Sequence, residues 1–261
     1  MTPFEEQIKD LDLSLFSKIP SQSTDEDKRS LLAVQLGVRE TVGEYRYLEI
    51  GSYLGGSIQP HLLDPLCTQI VSIDKRPPSQ PDERGIDYVY KNNSTARMME
   101  RLGGVSADLT KVATIDGDSR SIPEGAVERG MTLCFIDGEH TDEASVADFE
   151  FCYRVVDRER GAIAFHDAQI TYNGIAACVE KLEEEGADFR AYALPNALFV
   201  IELGSLRLSD HPAIRERLTQ NYRSYLYSLQ ENDHFRQFAT GFPFGAVRRL
   251  MVKLRGGNIS E

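Results

Sequence analysis

The sequence predicts an α/β fold with a mostly parallel sheet and helices on both faces. From residue 45 onward, short apolar runs alternate with helical segments, a pattern typical of strand–helix–strand units. Most of these runs end in an aspartate or a glutamate. The last two β-rich runs lie on either side of Pro195 and Asn196 and predict an antiparallel hairpin that closes one edge of the sheet.

The composition limits the classes of protein and of partner to be considered. Hydrophobic residues make up 41% and charged residues 27% of the 261 residues, as is usual for a globular chain. The formal net charge of -12 argues against a nucleic-acid partner, because phosphate binding needs clustered lysine and arginine. No apolar run approaches the ~20 residues that span a bilayer, so we expect no stable membrane insertion. The N-terminal stretch is acidic and amphipathic, and the four cysteines form no CxxC pair, so we expect a cytoplasmic protein.

Three regions are expected along the chain. The first is helical, and its main helix is expected to be capped by Asp25 or Thr24. In the second, Pro60 can occupy the first turn of the helix that follows the first strand, but Pro65 must end or kink it, so that helix is expected to be short. The regions are an N-terminal helical cap at 1–44, a strand–helix core at 45–204, and a C-terminal helical extension at 205–261.

The predicted strands of the core end in acids that should share one edge of the sheet. One such acid could cap a helix, but five at the same edge indicate the rim of a site. The runs are 45–50, 69–74, 111–118, 131–137 and 161–167, and the acids are Glu49, Asp74, Asp118, Asp137 and Asp167.

The loop after the first strand, in "YLEIGSYLGGS", indicates a bound ligand. Its glycines, among them Gly51 and Gly55, are spaced more widely than the G-x-G-x-x-G of nicotinamide sites, which makes a dinucleotide the weaker interpretation. Glu49 at the strand end suits a cationic or amine-bearing ligand. Ser52 and Ser57 add hydroxyl donors for a carboxylate.

The next two strands extend the same site. Asp74 ends "VSID" about twenty residues after the glycines, where an acid can accept both hydroxyls of a ribose. Asp118 and Ser119 follow "TIDG", where they could meet the amino group of an adenine.

At these motifs the chain resembles the class I S-adenosylmethionine-dependent methyltransferases. The matching segments are "YLEIGSYLGGS", "VSIDKRP", "ATIDGDSRSIP", "LCFIDGEHTDEASVADF" and "GAIAFHDAQ". The last two resemble a branch with "FIDGxHxYxxVxxD" and "FHD" that includes macrolide and sugar O-methyltransferases. The resemblance implies a Rossmann-like sheet of seven strands with a reversed final strand. It also implies Glu49 near the methionine end of the cofactor and Asp74 on its ribose. We expect Asp137 to face the cofactor from the fourth strand.

Acids and histidines follow the fourth and fifth strands and leave two chemistries open. In one, a divalent cation such as Mg²⁺ is held by Asp137 and Asp167, with His166 completing the set. Metal-dependent relatives commonly have two adjacent acids, or Asp-Asn, at the fifth-strand tip, and this chain has His166 and Asp167 there. In the other, His140 takes the proton of the acceptor without a metal, and Glu139 orients it or is itself the base.

The function expected from these observations is methylation of an oxygen on a small-molecule or sugar-containing acceptor. Two alternatives are a protein that binds the cofactor without catalysis and a nicotinamide-dependent oxidoreductase. The proline-rich loop 77–93 is expected to be irregular, either as a lid or as an ordinary surface loop. The acceptor, a homo-oligomeric state and the role of the basic C-terminal segment are left open.

Overall fold

A computed structural model describes residues 2–85 and 87–254. Seven of its strands form one sheet, and two short strands, β3 and β4, pair with each other. In chain order the strands are β1 (Tyr45–Ile50), β2 (Cys67–Asp74), β3 (Ser79–Gln80), β4 (Tyr88–Val89), β5 (Val112–Asp116), β6 (Leu133–Ile136), β7 (Ala162–Phe165), β8 (Phe189–Ala193) and β9 (Phe199–Leu203). The 77–93 loop was predicted to be irregular. That prediction is wrong where β3 and β4 pair antiparallel as a hairpin.

The main sheet has the spatial order β5-β2-β1-β6-β7-β9-β8. Strands β5, β2, β1, β6 and β7 are mutually parallel, and β9 runs antiparallel to both β7 and β8. The predicted fold is therefore confirmed, including the reversed last strand. Parallel pairing places the carboxyl ends of β1, β2, β6 and β7 at one edge, where ligands bind in open α/β sheets.

Helices cover both faces of the sheet because neighbouring residues of each strand point to opposite sides. Tyr47 of β1 packs into a core with α2, α3, α4 and α7, whereas Leu48 packs into a second core with α5 and α6. All four cysteines are buried and free. The helices are α1 (Pro3–Lys9), α2 (Asp25–Val42), α3 (Gln59–Leu63), α4 (Thr95–Gly103), α5 (Asp142–Val155), α6 (Tyr172–Glu184), α7 (Pro212–Thr219), α8 (Tyr222–Thr240) and α9 (Phe244–Leu254).

Local sequence explains where the helices before the site begin and end. Thr24 caps α2 and forms a capping box with Asp27, since each side chain bonds the backbone N–H of the other. Helix α3 has only five residues, with Pro60 in its first turn and Pro65 two residues after its end. The predicted shortening is confirmed.

The chain divides after Asn221 into two compact units. The first contains the sheet and α1 to α7, and within it α7 packs against α2. In the second, α8 contacts α9. The predicted helical extension reaches residue 261, and its last seven residues lie outside the described part of the chain. Among the helices described, none is both long and apolar enough to cross a membrane.

Candidate active site

A cleft lies at the carboxyl ends of the central strands. It holds ≈ 830 Å³ of empty space, its open mouth included. One wall is the glycine loop after β1 together with Asp74. Another carries the acids and histidines that follow β6 and β7. The remaining wall comes from residues 20–23 before α2 and from parts of the 77–93 loop.

Glu49 lies behind the glycine loop rather than on the cleft wall. It is fully buried, and its carboxylate accepts hydrogen bonds from the Tyr47 hydroxyl at 2.7 Å and the Ser57 hydroxyl at 2.6 Å. Burial raises the pKa of Glu49 to about 7, helped by the charges of Asp137 and Asp74, while the two hydrogen bonds oppose the rise. Its carboxylate therefore supports the loop from inside through Ser57, which does line the cleft.

The glycine loop reaches the cleft through Gly51 and Ser52, whereas Gly55 faces away from it. Gly51 has φ +91°, and a Cβ there would come within 2.0 Å of the backbone oxygen of Asp137. Only glycine allows this approach of the β1 and β6 loops. Gly55 has φ +84° and packs against Leu102 of α4, so its role is in the turn.

Asp74 lines the cleft with its carboxylate already fixed. It is 4% exposed and accepts the backbone N–H groups of Tyr53 at 2.8 Å and Arg76 at 2.7 Å. The Arg76 guanidinium lies 3.2 Å from the same carboxylate. These contacts hold the acid at the position from which a bound ligand would meet it.

Asp118, Ser119 and Glu139 are not on the cleft wall. The Lys75 ammonium joins two of them, at 2.9 Å from Asp118 and 3.1 Å from Glu139. Arg120, 2.7 Å away, and then Lys75 hold the pKa of Asp118 well below its usual range. Ser119 is buried. The structure thus places Asp118 and Glu139 in an ion-pair network beside the cleft, and the sequence pattern had not indicated Lys75 as its centre.

Asp137, His166 and Asp167 converge in the cleft. Nδ1 of His166 lies 3.1 Å from Asp137 and 2.8 Å from Asp167, and one ligand atom from each residue falls within 4.8 Å of the others. Burial alone would lower the pKa of His166, but Asp137, then Asp167 and Asp27, outweigh it and hold that pKa well above its usual value. Two carboxylates and an imidazole fit a divalent cation such as Mg²⁺ or Mn²⁺.

His140 joins this cluster from the β6 side. Its Nε2 lies 3.0 Å from Asp167 and its Nδ1 lies 3.1 Å from Asp82. Burial would lower the pKa of His140, but Asp167, Asp137 and Asp82 raise it above the usual value. The loop backbone adds a second link, because the N–H of Glu83 donates to the His140 carbonyl at 2.9 Å.

Asp82 and Asp27 are the acids at this site that the sequence did not indicate. The Asp82 carboxylate is buried, and burial favours its neutral form, but Arg84 at 2.7 Å and His140 lower its pKa to about 2. Asp27 is 1% exposed, and its carboxylate faces Nε2 of His166 at 3.6 Å. Asp82 lies in the proline-rich loop, and Asp27 is an acid in the first turn of a helix, which is a common position for an acid. The sequence around neither residue indicates a site.

Comparisons with known proteins give one family model and structures of similar fold. A family model for a methyltransferase domain matches residues 48–168. The O-methyltransferase NovP has a similar structure, with a TM-score of 0.57 at 12% identity over 77% of this chain and 98% of NovP. A Klebsiella pneumoniae structure assigned as an O-methyltransferase gives 0.51 at 14% identity over 78% and 91%. At these identities the two structures show the fold alone.

No curated protein sequence matches the chain. The family match covers the glycine loop, Asp74 and the acid–histidine cluster, which are the parts that meet in the cleft. The chain therefore resembles a methyltransferase domain over residues 48–168, and its Rossmann-like sheet is the fold of the similar structures.

Proposed function

We propose that the protein transfers a methyl group from S-adenosylmethionine to an oxygen of a small-molecule or sugar-containing acceptor. One observation carries the proposal: the glycine loop with Asp74 and the acid–histidine cluster line a single cleft. Methyl transfer needs the donor and the acceptor held in line, with a group that increases the nucleophilicity of the acceptor oxygen. The cleft has residues suited to both tasks.

The cofactor would lie along the glycine loop. When bound, it supplies a methyl group on a positively charged sulfonium. Gly51, Ser52 and Ser57 offer backbone and hydroxyl groups, Asp74 offers a fixed acceptor for ribose hydroxyls, and Asp137 adds negative charge nearby. Such an acidic lining favours a cation. Contact of Asp118 or Ser119 with an adenine stays a prediction, and the Asp118 carboxylate already accepts from Lys75 and Arg120.

Asp137, His166 and Asp167 are the residues that would hold a divalent cation. Its charge would lower the pKa of an acceptor hydroxyl and so favour the nucleophilic alkoxide. The two carboxylates supply hard oxygen ligands, and Nδ1 of His166 lies between them. Removal of the cation with a chelator should abolish activity, and added Mg²⁺ should restore it.

His140 is the residue we propose as the proton acceptor. Asp82 at 3.1 Å can hold a proton on Nδ1. Nε2, which lies 3.0 Å from Asp167, would then accept the proton of the acceptor once a cation engages that carboxylate. Glu139 is engaged by Lys75 and by the Thr141 hydroxyl at 2.9 Å, so its supported role is to fix the loop that carries His140.

The first test is a calorimetric titration with S-adenosylhomocysteine, with and without Mg²⁺. The wild type should bind, and Asp74→Asn should weaken binding about 10- to 150-fold, because a charged hydrogen-bond partner contributes about 1.5–3 kcal/mol. Asp116→Asn is the matched control, since Asp116 is 56% exposed, ends β5 beside the same arginine and does not line the cleft. Binding of NADH in place of S-adenosylhomocysteine would contradict the proposal and favour an oxidoreductase.

A further inference from the structure

Asp27 occupies an unusual position for a helix-capping residue. It is the third residue of α2 and forms the capping box with Thr24, a role that exposed acids fill in most helices. Here its side chain is 1% exposed and lies against the site. Burial of a carboxylate is costly unless its charge is compensated, so the groups that contact Asp27 are the ones that stabilise its charge.

The Asp27 carboxylate contacts the start of its own helix, the turn between β8 and β9, and His166 after β7. The backbone N–H of Ala197 donates to Oδ1 at 3.0 Å, and the Asn196 amide donates to Oδ2 at 2.7 Å, both from the turn between β8 and β9. The Thr24 hydroxyl donates to Oδ2 at 2.6 Å. Burial would raise the pKa of Asp27, but His166 and these donors lower it, so the group is ionised.

His166 presents its two ring nitrogens to different acids. Nδ1 lies between Asp137 and Asp167, the candidate cation ligands. Nε2 is buried without a hydrogen-bond partner among the described residues, and Asp27 Oδ2 faces it at 3.6 Å. A shift of a few tenths of an ångström turns this contact into a charge-assisted hydrogen bond.

We propose that Asp27 is a positioning residue that accepts the Nε2 proton of His166 and thereby directs Nδ1 toward Asp137 and Asp167. A histidine that binds a metal usually donates its other ring N–H to a carboxylate, which fixes the ring orientation. The inference rests on the proposed function for the purpose of the orientation, but the contact itself can be tested without a cation. It makes the start of α2 a part of the site.

The first test is a spectrum of ¹⁵N-histidine-labelled protein. His166 should give a low-field, slowly exchanging Hε2 signal, assigned by its loss in His166→Gln. The signal should be lost in Asp27→Asn, which preserves size but places an amide opposite the ring. It should remain in Thr24→Ala, which removes a hydrogen bond of the same cap and keeps the carboxylate. Absence of the signal from the wild type would overturn the proposal even if Asp27→Asn does not fold.

The second test is the affinity for Mn²⁺ in the presence of S-adenosylhomocysteine. Asp27→Asn should bind Mn²⁺ about 10- to 100-fold more weakly than the wild type, the usual effect of losing such a partner. Thr24→Ala should bind within about 3-fold of the wild type. Wild-type affinity and an unchanged Hε2 signal in Asp27→Asn would refute the positioning role. A wild type that does not bind Mn²⁺ would instead contradict the proposed cation site, and the Hε2 signal would still decide the role of Asp27.

Discussion

Gly51→Ala should destabilise the protein and weaken the cofactor site together. At φ +91° an alanine is strained, which costs about 1–2 kcal/mol. Its Cβ would also lie 2.0 Å from the Asp137 oxygen and 2.6 Å from the Gly138 Cα, both backbone atoms. A shift of the β6 loop to relieve this contact costs about 1–3 kcal/mol more, the range for overpacking. The expected loss in the free energy of unfolding is therefore about 2–5 kcal/mol.

A matched glycine separates the two costs. Gly125 has φ +88°, but a Cβ there would meet nothing within 4 Å, so Gly125→Ala should lose only the strain of about 1–2 kcal/mol. Urea denaturation of both variants gives the difference, and titration with S-adenosylhomocysteine shows whether the displaced Asp137 loop affects binding. Equal losses of stability in the two variants, with wild-type affinity in Gly51→Ala, would refute the role of the close approach.

Three further predictions concern the charged groups. Burial raises the pKa of Glu49 from 4.5 to about 7, so between these pH values the folded protein holds a proton that the unfolded chain has released. The stability that the protonated Glu49 contributes is full below pH 4.5 and is lost as the pH rises through about 7. Glu49→Gln should remove this pH dependence, which amounts to about 3 kcal/mol in the free energy of unfolding, from denaturation curves measured between pH 4.5 and 8. Asp82→Asn should lower kcat about 10- to 100-fold and leave affinity for S-adenosylhomocysteine unchanged, whereas Arg84→Gln, which keeps the acid, should have the smaller effect on kcat. His140→Ala should retain cofactor binding but lose turnover, and wild-type turnover would eliminate it as the base.

The sequence predicts the sheet well because each strand has a local signature. Apolar runs define where β1, β2, β6 and β7 lie, and parallel pairing then brings their terminal acids to one edge. Asp137, His166 and Asp167 meet for this reason, since each directly follows a strand whose neighbour is known from the fold.

Contacts between side chains that are far apart in the sequence could not be predicted. Asp82 meets His140 across 58 residues, and Asp27 meets His166 across 139, through packing of segments outside the sheet. Asp118 shows the converse case. Its position at a strand end indicated a ligand contact, but Lys75 and Arg120 occupy its carboxylate, and only the conformation of the loops decides which partner it has.

The reversed strand also determines the order in which the sheet can be completed during synthesis. β9 is the last strand to leave the ribosome, yet it lies between β7 and β8, so β8 has no partner in the sheet until residues 199–203 are available. Until then β7 has an unpaired edge, which favours pairing with other chains. His166 and Asp167 follow β7, and the turn that binds Asp27 precedes β9. The candidate active site is therefore assembled only after β9 has been synthesised, and a nascent chain ending before it should aggregate rather than bind ligand.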